Sequence, residues 1–331
     1  MVENQIKYHF NKNHDYTIDL LKFICALLVV FLHCQWKYSR LFLPFTRCAV
    51  PCFFMISGFL LFKDGEIDTE RFKRNFTHVL NIILAATLLF FVWDELISYF
   101  STRTFYVPTL RKINDWIVFN DCPFGFHLWY LYAYIYVLLI VMFFKEKGML
   151  RYLFYSVPLL LLVDVFLGKY GMVIFSIDVP VPYLRNFLFV GLPYFCLGML
   201  IRKYRKSFKL GRIILLGGVI LFTITSYIER DILIALNAVA SRDHYLSTTF
   251  LAISLFLLVT SFNISRDNTL TKIGKTDSLF IYILHPIILG ICGIIALRIG
   301  LVQAYSYIAP FFCFFLTMFA IRVLKVVKII K

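Results

Sequence analysis

The chain has 331 residues, of which 60% are hydrophobic and 16% charged, with a mean hydropathy of +0.79. That is more apolar side chain than a soluble core can hide, which excludes a soluble enzyme, a disordered regulator and a secreted disulfide scaffold. The net charge of +15 is read as topological rather than as a nucleic-acid footprint, because Lys and Arg collect in the cytoplasmic loops of membrane proteins.

The expectation is an all-α, polytopic membrane helix bundle whose partner is the lipid bilayer, with no nucleic acid and no metal. A hydrocarbon core about 30 Å thick needs about 20 helical residues. Apolar runs of that kind lie near 18–36, 43–62, 79–100, 126–144, 150–167, 186–201, 213–229, 247–262, 278–296 and 304–322, about ten helices in all. They delimit a membrane domain over 18–322, flanked by a cytoplasmic N-terminal segment at 1–17 and a cytoplasmic tail at 323–331. The apolar run within 230–246 is too short to span and reads as a re-entrant or interfacial piece, with eleven helices as the alternative count. Placing the N-terminus inside puts 22 of the 34 Lys and Arg on the internal side. The loop at 201–212 is the clearest marker, so both termini are expected in the cytoplasm. The first 17 residues are polar, so no cleavable signal peptide is expected. The eight cysteines form no C-x-x-C pair and most lie in apolar runs, where a thiol behaves as a small hydrophobe.

Ionisable groups inside spanning helices are costly and mark functional interiors. On the first helix, Lys22 and His33 are eleven residues apart. That separation is about 20° past three full turns, so both leave the same face, about 16 Å apart along the axis. Asp19 falls on that side too and can pair with Lys22. The stripe predicts a cation at one rim and an imidazole deeper in, facing one shared, water-accessible channel. On the second helix, Ser57 and Gly58 read as a small-residue spot for close packing. Arg71, Lys73, Arg74 and His78 follow at the entrance of the third helix, where basic side chains and a helix N-terminus suit phosphate. His127, Trp129 and Tyr130 open the fourth helix, and Arg185 and Asn186 stand at the mouth of the sixth. On the ninth, Tyr282 and His285 share a face beside Pro286, which cannot donate a backbone hydrogen bond.

Together these residues resemble the acyltransferase-3 family of integral membrane acyltransferases. The first-helix signature, a basic residue, ten others and a His, appears as Lys22 and His33. The FF-x-x-SGF pattern appears as Phe53, Phe54, Ser57, Gly58 and Phe59, the W-[FY]-L element as Trp129, Tyr130 and Leu131, and the Y-x-x-H-P element as Tyr282, His285 and Pro286. The matches run from residue 19 to 286. Two departures stand out: Lys22 replaces the usual Arg, and only Arg71, Lys73 and Arg74 stand where the family often carries Arg-x-Arg. Lysine-type members include the membrane parts of certain serine racemases, held to import an amino acid.

The resemblance implies a multi-pass protein of the bacterial cytoplasmic membrane. Such a protein moves an acyl group, acetyl or succinyl, from cytoplasmic acyl-CoA to a hydroxyl of a cell-surface or lipid-linked glycan. The CoA phosphates would rest on Lys22, Arg71, Lys73 and Arg74. His33 would act as general base or transient acyl carrier, with Lys22 and Asp19 beside it on the stripe. Trp129, Arg185 and Tyr282 would shape the acceptor pocket, with His285 as a further polar contact or proton relay. Acetyl-CoA is the expected donor, and a homo-oligomer stays open. The alternative is a transporter or exporter of an amino acid or polysaccharide that performs no acyl transfer.

Overall fold

A computed structural model describes residues 15–63, 65–205, 207, 210–238, 244–262 and 264–330. Most of the expected N-terminal segment, residue 331 of the tail, and positions 239–243 of the 230–246 stretch lie outside them.

The chain is an all-α polytopic bundle. Helix α1 (Tyr16–His33) starts where Asp15 accepts from the backbone N–H groups of Thr17 and Ile18, satisfying donors that the first turn would otherwise leave open. Helices α2 (Ser39–Thr46) and α3 (Ala49–Leu61) together form the second span. A two-residue hairpin, β1 (Phe62–Lys63) with β2 (Glu66–Ile67), then turns the chain into α4 (Thr69–Thr102), capped by Asp68. With 34 residues, α4 runs about 51 Å and overshoots a hydrocarbon core of about 30 Å. Its first turns therefore carry the basic residues expected in a loop.

The long connection that follows folds into α5 (Leu110–Phe119). Next come α6 (Trp129–Glu146), α7 (Leu150–Leu167) and the short α8 (Gly171–Phe175) and α9 (Val181–Leu184). A π-turn at Phe187–Gly191 leads into α10 (Leu192–Tyr204). Helix α11 (Arg212–Ala235) absorbs residues 230–235, so that part of the 230–246 stretch completes a span. The chain ends with α12 (Leu246–Thr260), α13 (Thr269–Thr276), α14 (Ser278–Arg298) and α15 (Val302–Val326). Among the described residues, nine helices are long and apolar enough to cross a membrane, and α12 is a tenth, shorter apolar helix. Pro286 does not interrupt α14.

Helix α1 is the hub, packed against α13, α3, α14, α2, α12 and α15. At Gly274 of α13, an added Cβ would fall 1.8 Å from the Asp19 carbonyl oxygen, so α13 lies directly on the face that carries Asp19 and Lys22. Helices α3 and α10 meet through a reciprocal pair. A Cβ at Gly58 would stand 2.0 Å from the Phe195 carbonyl oxygen, and one at Gly198 would stand 2.0 Å from that of Met55. By contrast, α11 buries only Leu215, Ser226 and Leu233 and turns Ile213, Ile214, Leu221 and Ile228 outward, the composition of a lipid-facing helix.

The glycine contact gives a direct expectation. Gly58→Ala should cost about 1–3 kcal/mol, because the clash is with backbone and cannot be relieved by a rotamer. It should lower the melting temperature of the purified protein in detergent. An unchanged melt would show that α3 and α10 are not held this close.

Candidate active site

Two cavities penetrate the bundle from opposite ends of α1. The first, of about 300 Å³, is lined by Lys22 together with Ser57, Arg71, Asn75, His78, Tyr130, Tyr134, Lys275, Ser278 and Tyr282 among others. Lys22 Nζ donates to Asp19 Oδ1 at 3.1 Å, and Asp19 is buried. Arg71, Asn75 and His78 fall on one face of α4 at spacings of four and three, as the helical repeat requires. Lys73 sits 200° from Arg71 and Arg74 is 60° off. Both are exposed and line neither cavity. Of the four basic residues expected on phosphate, Lys22 and Arg71 line the first cavity, where the Arg71 guanidinium also donates to the Leu60 carbonyl at 3.0 Å. Lys275 joins from α13, a helix in what the sequence presented as a loop. The small-residue spot divides its labour: Gly58 makes the helix contact, while Ser57 lines the cavity and donates to the Phe53 carbonyl at 3.0 Å.

The second cavity, of about 510 Å³, is lined by His33, Arg47, Lys112, Asp121, Phe126, Trp129, Arg185 and His244 among others. The Arg185 guanidinium carbon lies 5.4 Å from the centre of the Trp129 ring, and Lys112 faces Asp121 at 3.6 Å. His244 Nδ1 stands 2.6 Å from Asp164 Oδ2, both side chains buried. A scaffold of amides holds this end together. Buried Asn120 donates to the Trp129 carbonyl at 3.2 Å and accepts from the Phe187 N–H at 2.8 Å. Asn186 caps the π-turn by accepting from Leu188 and Phe189.

Lys22 and His33 each line a cavity, but among the described residues no single channel is shared between them. Each residue opens onto its own cavity, because side chains from α6, α14 and the turn before α6 fill the space between them. The Tyr282 hydroxyl donates to the His127 carbonyl. The His127 ring lies 5.5 Å from Tyr282 and 5.7 Å from His285, whose ring in turn stacks on His33 at 5.2 Å with an interplanar angle of 30°. Adjacent residues at the start of α6 part by 100°: Trp129 lines the His33 cavity and Tyr130 the Lys22 cavity. The partition is thus built of packed rings, with His285 between His33 of one cavity and Tyr282 of the other.

His285 is fully buried. Its Nδ1 stands 3.0 Å from the Ile281 carbonyl oxygen, while Nε2 has no hydrogen-bond partner among the described residues. A carbonyl only accepts, so this contact assigns the proton to Nδ1 and leaves the lone pair on Nε2. His127 is equally buried, and neither of its ring nitrogens has a hydrogen-bond partner among the described residues. Of the acceptor-pocket residues read from sequence, Trp129 and Arg185 line the His33 cavity, Tyr282 lines the Lys22 cavity, and His285 belongs to the partition. Arg47, Lys112, Asp121, Asn120, Asp164, His244 and Lys275 were not singled out by sequence, since nothing in their local spacing joins them. Among the described residues, no group of three or more His, Cys, Asp or Glu side chains could hold a metal ion.

Comparison with known proteins adds three findings. The chain is 29% identical over 221 residues to an amino-acid racemase of Enterococcus faecalis, covering 59% of this chain and 30% of that protein. It is 26% identical over 312 residues to a serine/alanine racemase of Enterococcus gallinarum, covering 86% of this chain and 42% of that protein. The chain therefore spans less than half the length of either relative. No solved structure matches it. The family profile described as an acyltransferase domain matches residues 15–326, a range that includes the Lys22–His33 stripe, both cavities and the ring partition between them, and the chain belongs to the acyltransferase-3 family.

Proposed function

We propose that this protein is a membrane O-acyltransferase that takes its acyl group from acyl-CoA on the Lys22 side and delivers it to a hydroxyl of a glycan acceptor on the His33 side. The observation that carries this reading is the pair of cavities separated by a cluster of packed rings, with α1 contributing a cation to one and an imidazole to the other.

Lys22, Arg71 and Lys275, with Asn75 and His78, form a donor set suited to a polyanion. Arg71, His78 and Lys275 are exposed, so the nucleotide phosphates can stay at the mouth while the uncharged thioester arm enters. The gap from Lys22 to His33, about 16 Å along α1, is crossed by that arm once the rings of the partition give way. At the partition, the acceptor oxygen attacks the thioester carbonyl and His33 takes the hydroxyl proton. The carbon–sulfur bond then breaks, and the leaving thiolate recovers a proton from the imidazolium. In the other order, His33 carries the acyl group itself between donor and acceptor. The stacked His285 ring fixes the plane of His33, and its Nε2 lone pair offers a second station for the proton.

Acetyl is the proposed acyl group, and the bacterial cytoplasmic membrane the proposed location. The excess of Lys and Arg on the segments that share a side with the Lys22 end supports a cytoplasmic mouth for the donor. The racemase names belong to relatives more than twice the aligned length, and racemisation is not part of this reading.

The test is mass spectrometry of surface glycans from cells with and without the gene, joined to melting of the purified protein with and without acetyl-CoA. A lost acyl mass and a raised melting temperature are expected. Unchanged glycans with no stabilisation would overturn the reading in favour of transport.

A further inference from the structure

The partition contains a hydrogen-bond donor that the fold does not use. His127 sits in the three-residue turn Phe126–Leu128 just before α6 and is 1% exposed, and neither ring nitrogen has a hydrogen-bond partner among the described residues. An imidazole keeps at least one N–H in either protonation state, so the ring buries an unspent donor, which native interiors rarely do without a use. Packing does not explain it. The ring centre lies 4.5 Å from that of Phe90, 5.5 Å from Tyr282, and 5.7 Å from both Phe126 and His285. A phenyl ring would fill that place without stranding a polar atom. His285 differs, because its Nδ1 proton goes to the Ile281 carbonyl and an acceptor is what remains.

The turn that carries His127 is fixed from several sides. Gly125 adopts φ +65°, where a Cβ would fall 2.6 Å from Cγ of Phe90, and its N–H donates to Asp94 Oδ2 at 2.9 Å. The Gly125 carbonyl accepts from the Leu128 N–H at 2.8 Å, and the His127 carbonyl accepts from the Tyr282 hydroxyl. Two residues on, the Trp129 carbonyl accepts from Asn120 at 3.2 Å. The imidazole is therefore held in place before any substrate arrives, as preorganised electrostatic stabilisation requires. It also stands where the two cavities approach each other, against Tyr282 of the Lys22 cavity and Phe126 of the His33 cavity.

We propose that His127 is a catalytic residue whose ring N–H donates to the thioester carbonyl oxygen as that oxygen becomes an oxyanion. The inference rests on the reading that acyl-CoA enters from the Lys22 side and reacts at the partition, and it deepens that reading by assigning the group that stabilises the reacting carbonyl. When the nucleophile adds to the carbonyl carbon, the π pair moves onto oxygen and meets the His127 N–H. When the carbon–sulfur bond breaks, that pair re-forms the carbonyl on the transferred acyl group, and the leaving thiolate takes up the proton that the nucleophile releases. His127 itself neither gains nor loses a proton. A donor with no partner in the resting protein suits an oxygen that carries charge in the transition state alone.

The experiment compares the full chain with His127→Phe, His127→Asn and His127→Gln, by transfer of labelled acetyl from acetyl-CoA in membranes and by melting of each purified protein. His127→Phe keeps a ring and removes the donor. Its kcat should fall about 10²–10³-fold, with the KM for acetyl-CoA within about twofold of the parent value. Its melting temperature should equal or exceed the parent's, because an unpaired buried polar group has been replaced by an apolar one. Asn places an amide N–H near the position of Nδ1 and Gln near that of Nε2, so one of them should recover about tenfold over the Phe variant and identify the donating nitrogen. The proposal is overturned if the Phe variant transfers at the parent rate, if neither amide exceeds it, or if its melting temperature drops by several degrees, which would give the nitrogens a part in the fold. A parent chain that transfers no acetyl from acetyl-CoA removes the acyltransferase reading and this inference together. An active parent with an equally active Phe variant removes this inference alone.

Discussion

His33→Ala is expected to lower acyl transfer from acetyl-CoA by about 10²–10⁴-fold, the contribution of a positioned general base, with a loss at or beyond the upper end if the imidazole carries the acyl group. The side chain lines a cavity and is only partly buried. Its removal therefore enlarges an existing space instead of opening a hole in a sealed core, and the protein should still fold. The measurement is transfer of labelled acetyl by membranes containing the variant, alongside melting of the purified variant with acetyl-CoA. The donor cavity is separate, so stabilisation by acetyl-CoA should survive while transfer disappears. A variant that transfers at the parent rate would remove His33 from the chemistry altogether.

The part of this arrangement that could be read in the sequence is the part fixed by one helix. Lys22 and His33 share a face because 3.6 residues per turn brings the eleventh residue back to nearly the same angle, and no tertiary information is needed. The spans were legible for a related reason, since crossing hydrocarbon imposes a minimum length and composition. What fills the space in front of that face is a different matter. The partition is assembled from two segments, His127 and Tyr130 around the start of α6 and Tyr282 and His285 on α14, and where the two meet is set by packing that leaves no local periodic mark. The segment holding α13 shows the same limit. It is polar enough to pass for a loop, yet Asn268 and Thr271 form a reciprocal cap, and its docking on α1 at Gly274 brings Lys275 to the donor cavity. Residues 69–78 show the same limit. Their charges suggested a loop, but charged residues are good helix formers and extend α4 beyond the length a hydrocarbon core needs. The helix then decides which of the cluster can act, selecting Arg71 and turning Lys73 away.

That selection yields the last prediction. Lys22→Ala and Arg71→Ala should each raise the KM for acetyl-CoA by roughly ten- to a hundredfold, the equivalent of about 1.5–3 kcal/mol for a charge-assisted contact, with little change in kcat. These groups hold the phosphates and take no part in the bond exchange. Lys22→Arg should retain most of the affinity, because a cation on this face is what the donor needs, and an Arg at this position can still reach Asp19. Lys73→Ala should leave the KM unaltered, although Lys73 is as near to Arg71 in sequence as any other basic residue and carries the same formal charge. Lys22 pairs with buried Asp19 at 3.1 Å, so its removal also bears on stability. Arg71, exposed at the start of α4, has no such burden and provides the cleaner measurement. If Lys73→Ala weakened the donor as much as Arg71→Ala, the phosphates would be held by a diffuse basic surface, and the Lys22 cavity would lose its claim to be their entrance.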